Sequence, residues 1–228
     1  MLKQRLKDFL MWNVVTPTVD ITNEAIYQGV FDNQCRNLGI PNDFYPLSGA
    51  ASHGMLYFLT RLLTDDALSE IVEFGSGQSS LLIDRVRPAK GYHLCLESDA
   101  DWHARIGKRL ARCEYLLAPL ERRVIESVHV DTYRSPPPRD FDLMLVDGPM
   151  GTESYSRFGC VEWVVANRRD SFVVIIDDTN RKGELETVRW LTEHLSRSGR
   201  SFKKQHLRGR TVQTIFAVGS LRHVAHYC

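Results

Sequence analysis

Val72-Glu73-Phe74-Gly75-Ser76-Gly77-Gln78-Ser79-Ser80 runs from an apolar stretch straight into two glycines and on into a helical pattern. Ile71 to Phe74 reads as a strand, Gly75 to Gly77 as a turn, and Ser79 to Val86 as a helix. Glycine lets the backbone turn tightly and approach a ligand closely, and the first turn of the next helix offers unpaired N–H groups to a polar or anionic group. A ligand lying across this turn is therefore expected. The third glycine of a dinucleotide fingerprint would fall at position 80, where this chain has Ser80, and that departure weakens a pyrophosphate reading.

Outward from the turn, strands and helices alternate. Tyr92 to Glu97, Glu114 to Ala118, Phe141 to Val146 and Phe172 to Ile176 read as strands, and Ala100 to Ala111, Tyr155 to Asn167 and Glu184 to Ser196 as helices. Val124 to Val130 reads as an extra strand, and Pro136-Pro137-Pro138 interrupts any regular element. Upstream, Met55, Leu56, Leu59, Leu62 and Leu63 share one helical face. Phe202 to Leu207 and Val212 to Val218 flank Arg208-Gly209-Arg210 with no helix between them, an antiparallel hairpin pattern. The expected fold class is α/β, a doubly wound, mostly parallel Rossmann-like sheet ending in that hairpin, over residues 48–228. Residues 1–47 read as an N-terminal helical or irregular extension, with Leu2, Leu6, Phe9 and Leu10 at helical spacing in Met1 to Trp12. Three roles stay open for it: a cap on the core, a cover for substrate, or a contact between copies in a homo-oligomer.

Composition narrows the partners. The 228 residues are 43% hydrophobic and 25% charged with a net charge of +1, so no positive excess is available to hold nucleic acid by counterion release. The basic run Lys203-Lys204 and Arg208-Gly209-Arg210 reads as solvated surface. No apolar run approaches the roughly 20 residues that span a bilayer, so no membrane partner is expected. Cys35, Cys95, Cys113, Cys160 and Cys228 are scattered singly, as reduced thiols of a cytoplasmic protein would be, with Cys95 and Cys160 in core surroundings.

Glu97 ends the second strand, 20 residues after Gly77, where a carboxylate can accept bonds from both hydroxyls of a ribose. With Glu73-Phe74-Gly75-Ser76-Gly77 as a first motif, Phe141-Asp142-Leu143-Met144-Leu145-Val146-Asp147-Gly148-Pro149 as a fourth-strand motif and the terminal hairpin, residues 48 to 218 resemble the class I S-adenosylmethionine-dependent methyltransferases. The resemblance implies S-adenosylmethionine as cofactor. Its amino acid part would be held by Glu73 and the Gly75, Ser76, Gly77 and Ser79 segment, and its ribose by Glu97. Ser98 and Pro119 of the Ala118-Pro119-Leu120 turn would lie near the adenine.

Methyl transfer to a hydroxyl needs a group that removes its proton, and Asp147, Asp177 and Asp178 stand at strand ends lining the same crevice. Three carboxylates there need a cation, a proton or a basic group among them. Their positions resemble the divalent-metal ligands of catechol-type O-methyltransferases, an Asp after the fourth strand and an Asp-Asn pair after the fifth, although the pair here is Asp177-Asp178. Two readings stay open: the three hold an ion such as Mg²⁺ that acidifies a substrate hydroxyl, or Asp147 acts alone as base or cofactor contact while Asp178 pairs with Arg181. His53 is a second candidate base. Tyr155 and Arg157, in the polar stretch after Asp147, are candidates for touching the acceptor. The function expected is O-methylation of a small molecule or sugar. The rivals are a dehydrogenase on a related fold and a non-catalytic protein that binds an adenosyl ligand.

Overall fold

The structure, a computed structural model, describes residue 11 and residues 16–45 and 49–228. The expected helix at Met1 to Trp12 lies almost wholly outside them. Seven strands form one sheet in the order β3-β2-β1-β6-β7-β9-β8, with β1 Glu70–Phe74, β2 Tyr92–Glu97, β3 Glu114–Leu117, β6 Leu143–Val146, β7 Phe172–Ile176, β8 Phe202–Arg208 and β9 Val212–Val218. The first five of these are mutually parallel, and β9 runs antiparallel to both β7 and β8. The doubly wound sheet with its closing hairpin is thus present.

Side chains along a strand alternate between its faces, and here both faces are covered. Ile71, Leu143, Leu145, Val173 and Ile175 face a layer containing Phe31, Met55, Leu59 and Leu82. Their alternates Val72, Phe74, Met144, Val146, Val174 and Ile176 face Phe158, Trp163 and Leu191. The first layer is built by α1 Thr16–Leu38, α2 His53–Thr64 and α3 Gln78–Val86, the second by α5 Cys160–Ala166 and α6 Lys182–Arg197. This two-sided burial is why the strands are unbroken apolar runs.

Several element bounds differ from expectation. The single extra strand at Val124 to Val130 is an antiparallel hairpin, β4 Leu120–Ile125 with β5 Val128–Tyr133, separate from the main sheet. Its turn is made by Glu126 and Ser127, both at positive φ, which the apolar-run reading passes over. The helix expected at Tyr155 to Asn167 begins only at Cys160, because Tyr155 and Arg157 are left-handed, with φ of 45° and 59°. Helix α4, Ala100–Gly107, is capped by the Asp99 side chain on Trp102 N and stops before Ala111. Asp20 and Glu24 of α1 bind Arg208 and the Arg210 N–H, so the hairpin's basic turn is held against α1 rather than freely solvated. No helix of the described residues is long and apolar enough to cross a membrane.

Candidate active site

Strand order reverses between the parallel β1 and β6: the connections lead outward to β2 and β3 on one side and to β6 and β7 on the other. In open α/β sheets the crevice at such a switch point, at the C-terminal strand ends, is where ligands bind. A cleft of about 960 Å³ lies there. Gly75, Ser76, Gly77, Ser79, Glu97, Ser98, Pro119, Asp147 and Asp178 all line it. Glu73, Asp177 and His53 do not.

Gly75 is required by geometry. Its φ is +84°, and a Cβ there would stand 2.8 Å from Gly148 N and 2.9 Å from the Asp147 carbonyl carbon. The turns after β1 and β6 therefore press backbone on backbone. Gly77 is different, since a Cβ on it would meet nothing within 4 Å and would only intrude on the cleft.

Glu97 ties two turns together. Its Oε2 accepts from Ser76 N at 3.2 Å and Ser76 Oγ at 2.8 Å, and its Oε1 from Ser98 N at 2.7 Å and Asp99 N at 2.9 Å. Ser76 Oγ has a second partner, the Tyr115 hydroxyl, at 2.7 Å. Ser76 can thus release Glu97 to another donor without being left unpaired. Glu73 is fully buried behind the glycine turn, accepting from Ser79 Oγ at 2.6 Å and bonded to His93 Nε2 at 2.9 Å. Whatever it does for a ligand passes through Ser79.

The three aspartates do come together, with one carboxylate oxygen of each within 4.8 Å of the others. The charge among them is Arg157. Its guanidinium, 4% exposed, lies 3.0 Å from Asp178 Oδ2 and 3.4 Å from Asp147 Oδ1, and donates to the Asp177 carbonyl at 3.0 Å. Gln213 Nε2 donates to Asp177 Oδ1 at 2.7 Å, and Arg181 reaches Asp178 at 3.0 Å. Burial pushes the Asp147 carboxyl well up, the Asp177 and Asp178 charges add to the shift, and Arg157 opposes it. A basic group therefore serves the cluster. The residues do not fit a dedicated divalent-ion site, because a buried guanidinium already holds the place where the ion's charge would act.

His53 is turned away from the cleft, its N–H and Nδ1 both on Glu24 Oε1, at 2.7 and 3.2 Å. Tyr155 packs edge-on against Phe158, and its N–H donates to Glu186. Lining residues that escape the sequence reading include Tyr45, Trp102 and Tyr133, the last at the end of β5, buried beside Phe74 with its hydroxyl against Gly148. The only sequence signal for Tyr133 is an aromatic side chain shortly before Pro136.

No family model and no curated protein matches the chain. Solved structures do. The O-methyltransferase TomG of Streptomyces achromogenes, crystallised with S-adenosylmethionine, is 16% identical with a TM-score of 0.56, over 90% of this chain and 97% of that one. An O-methyltransferase from Bacillus cereus, in complex with S-adenosylhomocysteine, is 17% identical with a TM-score of 0.51, over 96% and 99%. The S-adenosylhomocysteine-bound methyltransferase PaMTH1 of Podospora anserina is 14% identical with a TM-score of 0.52, over 84% and 88%. With the strand order, the closing hairpin and the cleft at the reversal point, these likenesses assign the architecture: the chain has the class I S-adenosylmethionine-dependent methyltransferase fold.

Proposed function

We propose that this chain is an S-adenosylmethionine-dependent methyltransferase that methylates an oxygen of a small molecule. The observation that carries the reading is one cleft lined at once by the Gly75–Gly77 turn, the Glu97 carboxylate and Asp147. When bound, the cofactor supplies an electrophilic methyl group on a sulfonium. The turn and the first N–H groups of α3 receive its amino acid end, and Glu97 receives the ribose hydroxyls as Ser76 Oγ shifts to Tyr115. Ser98 and Pro119 border the adenine end. A carboxylate offers about four acceptor sites and Glu97 fills four, so the release of Ser76 Oγ frees one site for a ribose hydroxyl.

Asp147 is the base. A carboxylate whose proton affinity is raised by burial takes a proton from a hydroxyl more readily, and Arg157 beside it favours the ionised form that does so. Arg157 in turn orients the carboxylate through Asp178 and the Pro149 and Asp177 carbonyls. Since Arg157 supplies the positive charge, turnover requires no Mg²⁺, and chelation with EDTA leaves it unchanged. The cleft has room for the adenosyl compound and a small acceptor or sugar together. The five free thiols suit a reducing, cytoplasmic setting.

Asp147→Asn tests the assignment. Loss of a positioned base costs about 10²-fold or more in kcat, while affinity for S-adenosylhomocysteine stays within a few-fold. An equal fall in affinity would make Asp147 a cofactor contact only. A retained rate would remove its role altogether.

A further inference from the structure

Behind the cofactor turn, on the sheet face that carries α3, the parallel register aligns a second set of reactive side chains. Glu73 stands opposite Cys95, and Cys95 opposite Tyr115. Stepping back two residues on each neighbouring strand brings His93 and Cys113 to the same face. One donor atom each from Glu73, His93 and Cys95 lies within 4.8 Å of the others, and all three residues are buried. Cys113, partly exposed just before β3, lies within reach of both the His93 ring and the Cys95 sulfur.

An apolar core does not account for this grouping. His93 is 1% exposed, its Nε2 is held by Glu73 Oε2 at 2.9 Å, and its Nδ1 is buried without a hydrogen-bond partner. A buried polar atom left unpaired costs about 1–3 kcal/mol, so this ring nitrogen, set among thiols and a carboxylate, marks a place for a missing partner. The Glu73–His93 contact has the form by which a carboxylate fixes the tautomer and direction of a metal-binding imidazole. Sulfur and imidazole together favour a soft or borderline ion of the zinc class over Mg²⁺ or Ca²⁺.

We propose that His93 and Cys95, with Glu73, form a binding site for a thiophilic divalent cation of the zinc class, and that Cys113, within reach of the His93 ring and the Cys95 sulfur, completes it. The site is independent of the methyltransferase reading, yet it lies directly under the cofactor turn, since Cys95 Sγ donates to the Gly75 carbonyl at 3.6 Å and Glu73 accepts from Ser79.

Titrating Co²⁺ into the reduced, chelator-treated full chain tests it by absorption. The expected result is one equivalent bound, with sulfur-to-metal charge-transfer bands in the near ultraviolet, intense visible bands of a tetrahedral ion, and displacement by Zn²⁺. Cys113→Ser, a change at a partly exposed position, should weaken binding at least tenfold and reduce the charge-transfer bands. Asp147→Asn/Asp177→Asn should leave the spectrum intact. No sulfur charge transfer in the native chain overturns the proposal. So does binding that survives Cys113→Ser but is lost in the double aspartate variant.

Discussion

Two glycines two positions apart in the same turn carry different burdens. Gly75 is held left-handed with Gly148 and Asp147 backbone where its Cβ would be, so Gly75→Ala should destabilise the fold by about 1–3 kcal/mol, read by chemical denaturation. Gly77→Ala meets open space and ordinary backbone, so stability should stay within about 0.5 kcal/mol while S-adenosylhomocysteine binds at least tenfold more weakly. The reverse ranking would mean that no ligand lies across the turn. Arg157 is the other residue on which much rests. Arg157→Met removes the one buried guanidinium among Asp147, Asp178 and Glu184 and should cost about 3–5 kcal/mol near neutral pH. The loss should shrink as the pH is lowered, because protonation of the carboxyls relieves their repulsion. A loss that does not change with pH would contradict the charge argument.

At the level of single elements, β6 is tied to β1 by Asp142, whose carboxylate accepts from Ser69 N and Glu70 N. Burial raises its pKa to about 6, above the value of 3.8 expected when unfolded. The folded state therefore holds this proton more tightly. The stability it contributes is complete below about pH 4 and is lost as the pH rises through 6. Asp142→Asn keeps an acceptor for the same amides without the buried charge. Its melting temperature relative to the native chain should rise between pH 5 and pH 8, and a flat difference would contradict the shift. The main strands were legible because both faces of Leu143–Val146 and Phe172–Ile176 are buried, which leaves no polar alternation to confuse the run. The β4–β5 hairpin was not, since its strands are largely exposed and paired only with each other. Helix α1 was obscure for a related reason: Val19, Ile21 and Ile26 point outward while Phe31 and Cys35 reach the core, so no single apolar stripe marks it.

Over the whole molecule, the site is assembled from segments far apart in sequence. The strand-end positions of Gly75, Glu97 and Asp147 could be read from spacing, because a strand that ends at a turn must deliver the next residue to the sheet edge. That Arg157 would enter the aspartates could not, because its path depends on the left-handed turns at Tyr155 and Arg157 and on the carbonyls of Pro149 and Asp177. The burial of Glu73 behind the turn was equally hidden, since it depends on His93 from the neighbouring strand. The same assembly makes a strong demand on ligand choice: one adenosyl amino acid must bridge the β1 turn and the β2 carboxylate. Calorimetry on the native chain and on Glu97→Ala measures this directly. The account predicts that S-adenosylhomocysteine binds the native chain one to one, that NAD does not bind, and that Glu97→Ala weakens the former on the order of tenfold or more. Binding of NAD without S-adenosylhomocysteine, or an affinity for the latter indifferent to Glu97, would contradict it.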